Sequence, residues 1–186
     1  MQQFNELFDL VMAHEGFYAN VTGDQGGETY MGISRRYHPN WQGWNIIDNY
    51  KKEHGNIKHN QELKTPGLRE LVKDFYYHTF YHTNKLNHIE NKSLKYMLFD
   101  WLVNSGAWAA KGLQKVLNTH FQERLIVDGV IGKQTLRAIN KTNPNELFEV
   151  LKRERISFYK RIAKKGQNKK FLKGWLKRVD QVDSVA

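Results

Sequence analysis

Residues 14–33 read HEGFYANVTGDQGGETYMGI, and in this stretch a helical pattern gives way to a glycine-rich segment. Apolar residues upstream recur at helical spacing, at Phe4, Leu7, Phe8 and Val11. This spacing predicts an amphipathic helix over residues 3–14. The glycines, threonines and tyrosines of residues 16–34 predict short strands and turns. The sequence therefore predicts a small hairpin or structured turn directly after the first helix.

The rest of the chain is dominated by helical signals. Two dipeptides typical of helix starts, Thr65-Pro66 and Asn143-Pro144, precede apolar periodic segments, and Ser93 is the expected N-cap of another helix. The predicted helices cover approximately residues 46–54, 66–81, 94–103, 107–118, 133–140, 144 onward and 170–180. The sequence therefore predicts a mainly α fold with one small irregular or β-containing region near the N-terminus.

Composition limits the functional classes. The 186 residues carry a formal net charge of +10, so the chain is expected to be drawn to polyanions such as nucleic acid, an anionic membrane surface or the bacterial cell wall. The absence of cysteine excludes disulfides and thiolate chemistry. The sequence begins without the pattern of a signal peptide and contains no apolar stretch long enough for a membrane span. Stable membrane insertion is therefore not expected.

Glu15 is the first candidate catalytic residue. It closes the first predicted helix, where the negative end of the helix dipole disfavours an ionised carboxyl. Phe17 and Tyr18 could exclude water from it and act in the same direction. A carboxylic acid that keeps its proton can protonate the departing oxygen of a glycosidic bond. Asp24 and Thr29 follow within the glycine-rich segment and could assist in the same cleft. The alternative is a surface carboxylate beside a helix C-terminus.

The quoted stretch resembles the signature of glycoside hydrolase family 108, the lysozyme-like muramidases. That signature begins Glu-Gly-Gly-Tyr, continues through Asp-x-Gly-Gly-x-Thr and ends in Gly-Ile. This chain has Glu15-Gly16-Phe17-Tyr18, then Asp24-Gln25-Gly26-Gly27-Glu28-Thr29, then Gly32-Ile33. Phe17 is the one departure, where the family has glycine. The resemblance implies that Glu15 is the catalytic acid, with Asp24 and Thr29 as assistants.

Later segments extend the resemblance. Residues 99–106, Phe-Asp-Trp-Leu-Val-Asn-Ser-Gly, are similar to a Phe-Asp-x-x-x-Asn-x-Gly segment of the family. Asp100 and Asn104 would share one helix face, where they either bind sugar hydroxyls in the cleft or tie helices together. Residues 113–135 resemble the predicted peptidoglycan-binding domain that accompanies the family, and Gly174, Trp175 and Arg178 match its C-terminal Gly-Trp-x-x-Arg.

Aromatic and histidine residues give weaker signals. Tyr30 and Trp44 are candidate sugar platforms, together with Trp41 and Trp108, although most aromatic side chains fill the core. His78 and His82 have a spacing that can bind zinc, but no third ligand is evident. Packing is the favoured role of the pair, so we expect no metal site and no cofactor.

The resemblance implies a mainly α, lysozyme-like muramidase that cleaves the β-1,4 bond between N-acetylmuramic acid and N-acetylglucosamine. Residues 1–105 would form the catalytic lobe, and residues 106–186 a helical peptidoglycan-binding region. The expected partners are peptidoglycan strands and the anionic cell wall, reached by assisted export or lysis, with the protein a monomer. The alternatives are a non-catalytic wall-binding or secretion-assisting protein and a basic nucleic-acid binder. No nucleic-acid motif supports the last, so no nucleic-acid partner is expected.

Overall fold

The computed structural model describes residues 2–20, 27–164 and 166–182. Within these ranges the chain forms eight α-helices and one three-stranded antiparallel sheet. The predicted mainly α fold with a small hairpin region near the N-terminus is confirmed. The chain divides into two compact units, Met1–His78 and Thr79–Ala186. The division into functional regions at residues 105 and 106 stays a prediction.

The first unit combines three helices with the sheet. Its elements are α1 (Gln2–Met12), β1 (Tyr18–Asn20), β2 (Glu28–Tyr30), β3 (Ile33–Ser34), α2 (Gly43–His54) and α3 (Leu68–Tyr76). The strands pair in the order β1-β2-β3, with Tyr18 opposite Tyr30 and Thr29 opposite Ser34. The predicted periodic residues of α1 are all buried, and the Phe8 ring packs edge-on against Tyr76 of α3 at 5.8 Å. A π-helical segment, Tyr77–His82, follows α3.

The second unit is helical throughout its described regular elements. They are a 3₁₀ segment (Leu86–His88), α4 (Lys92–Ser105), α5 (Ala107–His120), α6 (Lys133–Lys141), α7 (Pro144–Ala163), a second 3₁₀ segment (Gly166–Phe171) and α8 (Leu172–Val182). Helix α4 is buried on every side between Leu94 and Leu102 and packs against α5, α7 and α8. A helix buried all round is the central element of its core. None of the described helices combines the length and hydropathy needed to cross a membrane.

Two predicted helix starts are wrong, and one is confirmed. Thr65 does not cap a helix, because the chain turns at Gly67 in a left-handed conformation (φ 80°) and α3 begins only at Leu68. The N-cap of α4 is Asn91, whose side chain accepts from the Leu94 amide, and Ser93 lies inside the helix. Asn143 caps α7 as predicted, accepting hydrogen bonds from the next two free amides. In both wrong cases a neighbouring residue suited the required backbone or cap better.

Candidate active site

Glu15 follows the C-terminal end of the first helix. Helix α1 stops at Met12, and the chain makes one more tight turn in which the Glu15 amide donates to the Met12 carbonyl at 3.1 Å. The carboxyl-bearing residue is half-buried, so solvent reaches it. Glu15 therefore lies three residues beyond the end of α1, close to the helix end at which the sequence placed it.

A tight hairpin turn presents its backbone to Glu15. Strands β2 and β3 are joined by the two residues Met31 and Gly32, whose φ angles are 45° and 77°. Positive φ at both central residues is the mark of a type I′ turn, which matches the natural twist of a hairpin. Glycine adopts this conformation readily, whereas Met31 holds it at a cost of about 1 kcal/mol. Strain of this kind persists only where the surroundings fix the backbone.

The surroundings of Met31 do fix it. Its amide donates to the Phe17 carbonyl at 2.8 Å, and its carbonyl accepts from the Tyr76 hydroxyl at 2.7 Å. Tyr76 is buried on α3, so the turn is tied on one side to the segment after Glu15 and on the other to the core. The sequence marked Tyr76 only as an apolar helix position. Its role as a hydrogen-bond anchor depends on a contact 45 residues away along the chain.

The Glu15 carboxyl lies against the turn at Gly32. A Cβ placed on Gly32 would lie 3.0 Å from Glu15 Oε2 and 2.6 Å from the Tyr76 hydroxyl oxygen. The Glu15 carboxyl and the Tyr76 hydroxyl therefore lie against the same side of the turn. A side chain at position 32 would therefore press first on the buried Tyr76 hydroxyl and then on the Glu15 carboxyl, which accounts for the glycine at this position.

Asn60 clamps the segment that follows Glu15. Its side-chain Oδ1 accepts from the Phe17 amide at 3.0 Å, and its own amide donates to the Tyr18 carbonyl at 2.7 Å. Asn60 holds a left-handed backbone, with φ 59°, which asparagine tolerates better than most residues. The sequence does not reveal this role, because nothing local distinguishes Asn60 from an ordinary loop asparagine.

A charged network fixes the sheet to α2. Glu28 of β2 accepts from the Tyr18 hydroxyl at 2.9 Å, pairs with Lys51, and lies 2.7 Å from the Arg35 Nε. Arg35 also binds Asp48 of α2 through two nitrogens, and this hydrogen bonding lowers the pKa of the Asp48 carboxyl. Because that pKa is lowered on folding, the contribution of Asp48 is present above the pKa of the unfolded chain and is lost as pH falls through the folded value. The network is a rigid support for the strand that leads into the Met31–Gly32 turn.

Two of the other candidates in this unit are core residues. Tyr30 is 2% exposed, with its hydroxyl hydrogen-bonded to the Leu63 backbone, and Trp44 is 2% exposed, with its indole donating to the His38 carbonyl. A sugar cannot stack on either ring in this packing. Thr29 is half-buried on the opposite sheet face from Tyr30, beside Ala19 and Ser34. Asp24 lies outside the described residues.

Asp100 and Asn104 are the two ends of one hydrogen-bonded network in the second unit, because Arg155 binds both Asp100 and the Tyr159 hydroxyl, which in turn donates to Asn104. Asp100 is 0% exposed and is held by Arg155 and Arg178. It therefore ties helices together, and its side chain has no surface that a sugar could contact. Asn104 is exposed, and its Oδ1 accepts from the Tyr159 hydroxyl at 2.9 Å. Of the tryptophans considered as platforms, Trp108 on α5 is 58% exposed.

We expect Gly32→Ala to lower any activity that depends on Glu15 about tenfold, because the new methyl group would lie 2.6 Å from the buried Tyr76 hydroxyl and 3.0 Å from Glu15 Oε2 and would shift the turn away from both. The left-handed backbone adds a destabilisation of about 1–2 kcal/mol. Gly67→Ala is the matched control, since Gly67 has φ 80° with open space around its Cβ position. Rates per folded molecule and unfolding curves of both variants separate the two effects. Equal rate losses in both variants would contradict the contact with Glu15.

We expect Asn60→Gly to lower any activity that depends on Glu15 several-fold and to destabilise the first unit by about 1 kcal/mol, because the Phe17 amide loses its acceptor. Asn60→Asp keeps both the acceptor oxygen and the tolerance for a left-handed backbone, so it should restore most of the rate. The rates and the unfolding curves of the two variants test this positioning role. A glycine variant with wild-type kinetics would show that the clamp does not matter.

The fold and this site together define a class. A mainly helical chain that places a carboxyl at a helix end, against a small three-stranded sheet, belongs with the lysozyme-like glycoside hydrolases. The sequence matches the family described as Glycosyl hydrolase 108 over residues 8–106 and the Predicted Peptidoglycan domain over residues 108–180. Because the first match covers more than half of the chain, the protein belongs to the glycosyl hydrolase 108 family. It is a glycoside hydrolase of the muramidase type, and its substrate is peptidoglycan.

A solved structure supports the same assignment. The structure of SagA from Brucella abortus is similar with a TM-score of 0.68 and 25% sequence identity, and the match covers 97% of this chain and 91% of that chain. No curated protein matches the sequence. The likeness spans both compact units, so the arrangement of elements within each is shared along almost the whole chain.

Proposed function

We propose that Glu15 is the general acid that cleaves the β-1,4 bond between N-acetylmuramic acid and N-acetylglucosamine. The protonated carboxyl donates its proton to the oxygen of the departing sugar as the glycosidic bond breaks. Water then adds to the sugar ring, and the glycan strand ends in a new reducing sugar. A general acid in this position accounts for about 10²–10⁴-fold of the rate.

One observation carries the proposal: Glu15 Oε2 lies against the Met31–Gly32 turn, on the side where the Tyr76 hydroxyl also lies. The turn is strained, anchored from both sides and free of a side chain at the contact point. A fixed backbone limits the directions in which the carboxyl can point, and orientation of a catalytic group is worth several kcal/mol of barrier. The matching family signature, with Glu15 at the position of the family acid, supports the same role.

Asp24 and Thr29 are proposed as assistants that position water or stabilise positive charge on the sugar ring. Thr29 is supported by its place on β2, two residues before the turn and partly open to solvent. Asn104 remains a proposed substrate contact because it is exposed. The burial of Tyr30, Trp44 and Asp100 favours structural roles for those three.

We also propose that the protein acts on the cell wall as a monomer. The net charge of +10 supports attraction to an anionic wall, and the match to the Predicted Peptidoglycan domain supports contact with the wall polymer. Sedimentation of the free protein tests the oligomeric state.

Digestion of purified sacculi tests the reaction. We expect mass spectrometry of the soluble products to show fragments with N-acetylmuramic acid at the reducing end. Reducing-end N-acetylglucosamine, or release of peptides alone, would contradict the proposed bond. A turbidity assay on the same walls separates hydrolysis from binding without clearing.

A further inference from the structure

The second unit carries a groove between α5 and α7 that has no assigned role. Its volume is about 510 Å³, which lies in the size range of ligand sites rather than of single-ion sites. Val116 and Val150 contribute its apolar floor, since they are 3% and 8% exposed. The groove lies within residues 108–180, the region that matches the Predicted Peptidoglycan domain.

Polar side chains from both helices line the rim of this groove. Lys115 and Thr119 are four residues apart on α5, and Arg153, Ser157 and Arg161 follow the same four-residue spacing on α7. Residues four apart lie on the same face of a helix. The two rows therefore form two continuous rims of cations and hydroxyl groups.

The charge of the groove is positive and largely uncompensated. The lining includes Lys115, Arg153 and Arg161 but a single carboxylate, Glu154, which lies 3.7 Å from Arg161. Lys115 and Arg153 have no ion-pair partner among the residues that the structure describes. Two cations without an ion-pair partner among the described residues, together with the Ser157 hydroxyl, form a receptor for negatively charged oxygens in this groove.

We propose that the α5–α7 groove binds the carboxylates of the peptide stems of peptidoglycan. The proposal rests on the proposed function in taking the bacterial wall as the partner. Stem peptides carry several carboxylates within one extended chain, and the groove offers several donors along its length. The guanidinium of Arg153 can hold a carboxylate through two parallel hydrogen bonds, while the Ser157 hydroxyl supplies a neutral donor. Bound here, the stems would hold the second unit on uncut wall.

Co-sedimentation with insoluble sacculi tests this site. The ligand is sacculi of a Gram-negative bacterium, which carry no teichoic acid, and all proteins carry Glu15→Gln so that the wall is not consumed. The neutral pair Lys115→Gln with Arg153→Gln is compared with Lys133→Gln and Arg137→Gln, two exposed cations of α6 outside the groove. Both pairs remove the same net charge. A third protein, Lys115→Arg with Arg153→Lys, keeps the groove charge.

We expect the neutral groove pair to bind sacculi about tenfold more weakly than the parent protein, with the α6 pair close to the parent. The charge-preserving pair should lie between the parent and the neutral pair, because Arg153→Lys loses the two parallel hydrogen bonds. Conversion of the sacculus carboxylates to amides should remove the advantage of the parent over the neutral groove pair. Equal losses in the groove and α6 pairs would show general attraction by charge and overturn the proposal. The proposal would also be overturned if the parent still bound more tightly than the neutral groove pair after amidation. The same holds if that difference appeared only with walls that contain teichoic acid phosphates.

The two proposals fail in different assays. If the groove does not bind stem carboxylates, the protein with Glu15 intact should still release sugar fragments, so hydrolysis can still be measured. If Glu15 is not the acid, the Glu15→Gln parent itself should release sugar fragments. Binding can then still be compared between variants on walls that are kept cold and analysed before they are digested.

Discussion

Glu15→Gln is expected to reduce peptidoglycan hydrolysis about 10²–10⁴-fold while the fold is retained. Glutamine has the shape of glutamic acid, so it fits the same space against the Met31–Gly32 turn. It cannot donate an acidic proton to the leaving oxygen, so the loss falls on the chemical step. Binding to walls should persist, because the surfaces that contact the wall are unchanged.

Glu70→Gln is the control for this result. Glu70 is an exposed carboxylate in the first turn of α3, so its replacement makes the same change from carboxyl to amide and leaves the Glu15 environment unchanged. Turbidity loss of purified walls and release of reducing sugars measure the rate, and circular dichroism checks the fold. A folded Glu15→Gln protein that clears walls at the wild-type rate would show that another group supplies the proton.

Asp100→Ala is expected to destabilise the second unit by about 3–5 kcal/mol. Asp100 lies on the buried helix α4, where Oδ1 accepts from the Arg178 Nε at 2.7 Å and Oδ2 accepts from Arg155 NH2 at 2.5 Å. Arg155 has no exposed side-chain surface, so water cannot replace the lost carboxylate. Alanine would leave two guanidinium groups in the core without the charge that balances them.

Asp180→Ala provides the comparison for this loss of stability. Asp180 is exposed on α8, near Arg178 in the chain, and its removal should change the free energy of unfolding by less than about 0.5 kcal/mol. Denaturant titration of both variants gives the two free energies. A loss below about 1 kcal/mol for Asp100→Ala would mean that the buried arginines find other partners, and Asp100 would then have to be explained by function.

Helix ends, turns and caps depend mainly on residues that are close together in the sequence. The helix that ends shortly before Glu15, the hairpin after it and the Asn143 cap of α7 were predictable, because each depends on residues a few positions apart. The helix starts at Thr65 and Ser93 were wrong, since several nearby residues compete for a cap and packing decides among them. The outer bounds of most helices agree within a few residues.

The roles of individual polar residues were less predictable. Asp100 and Asn104 match the same segment and share a helix, yet one is enclosed by two arginines and the other is open to solvent. Periodicity places both on similar faces of α4 but does not say which elements cover that helix. Tyr30 and Trp44 are also chemically suited to sugars, and only their burial excludes stacking.

The sequence by itself determined the order of the chemistry along the chain: a carboxyl at a helix end, a glycine-rich hairpin after it, and a basic, mainly helical remainder. These features follow from backbone preferences and charge, which act over a few residues. Tertiary structure decided which partners hold the carboxyl, because Tyr76 and Asn60 reach the Glu15 region only after the chain has folded. It also decided that Asp100 serves the core and that cations from α5 and α7 line one groove, since both depend on helices distant in sequence packing side by side.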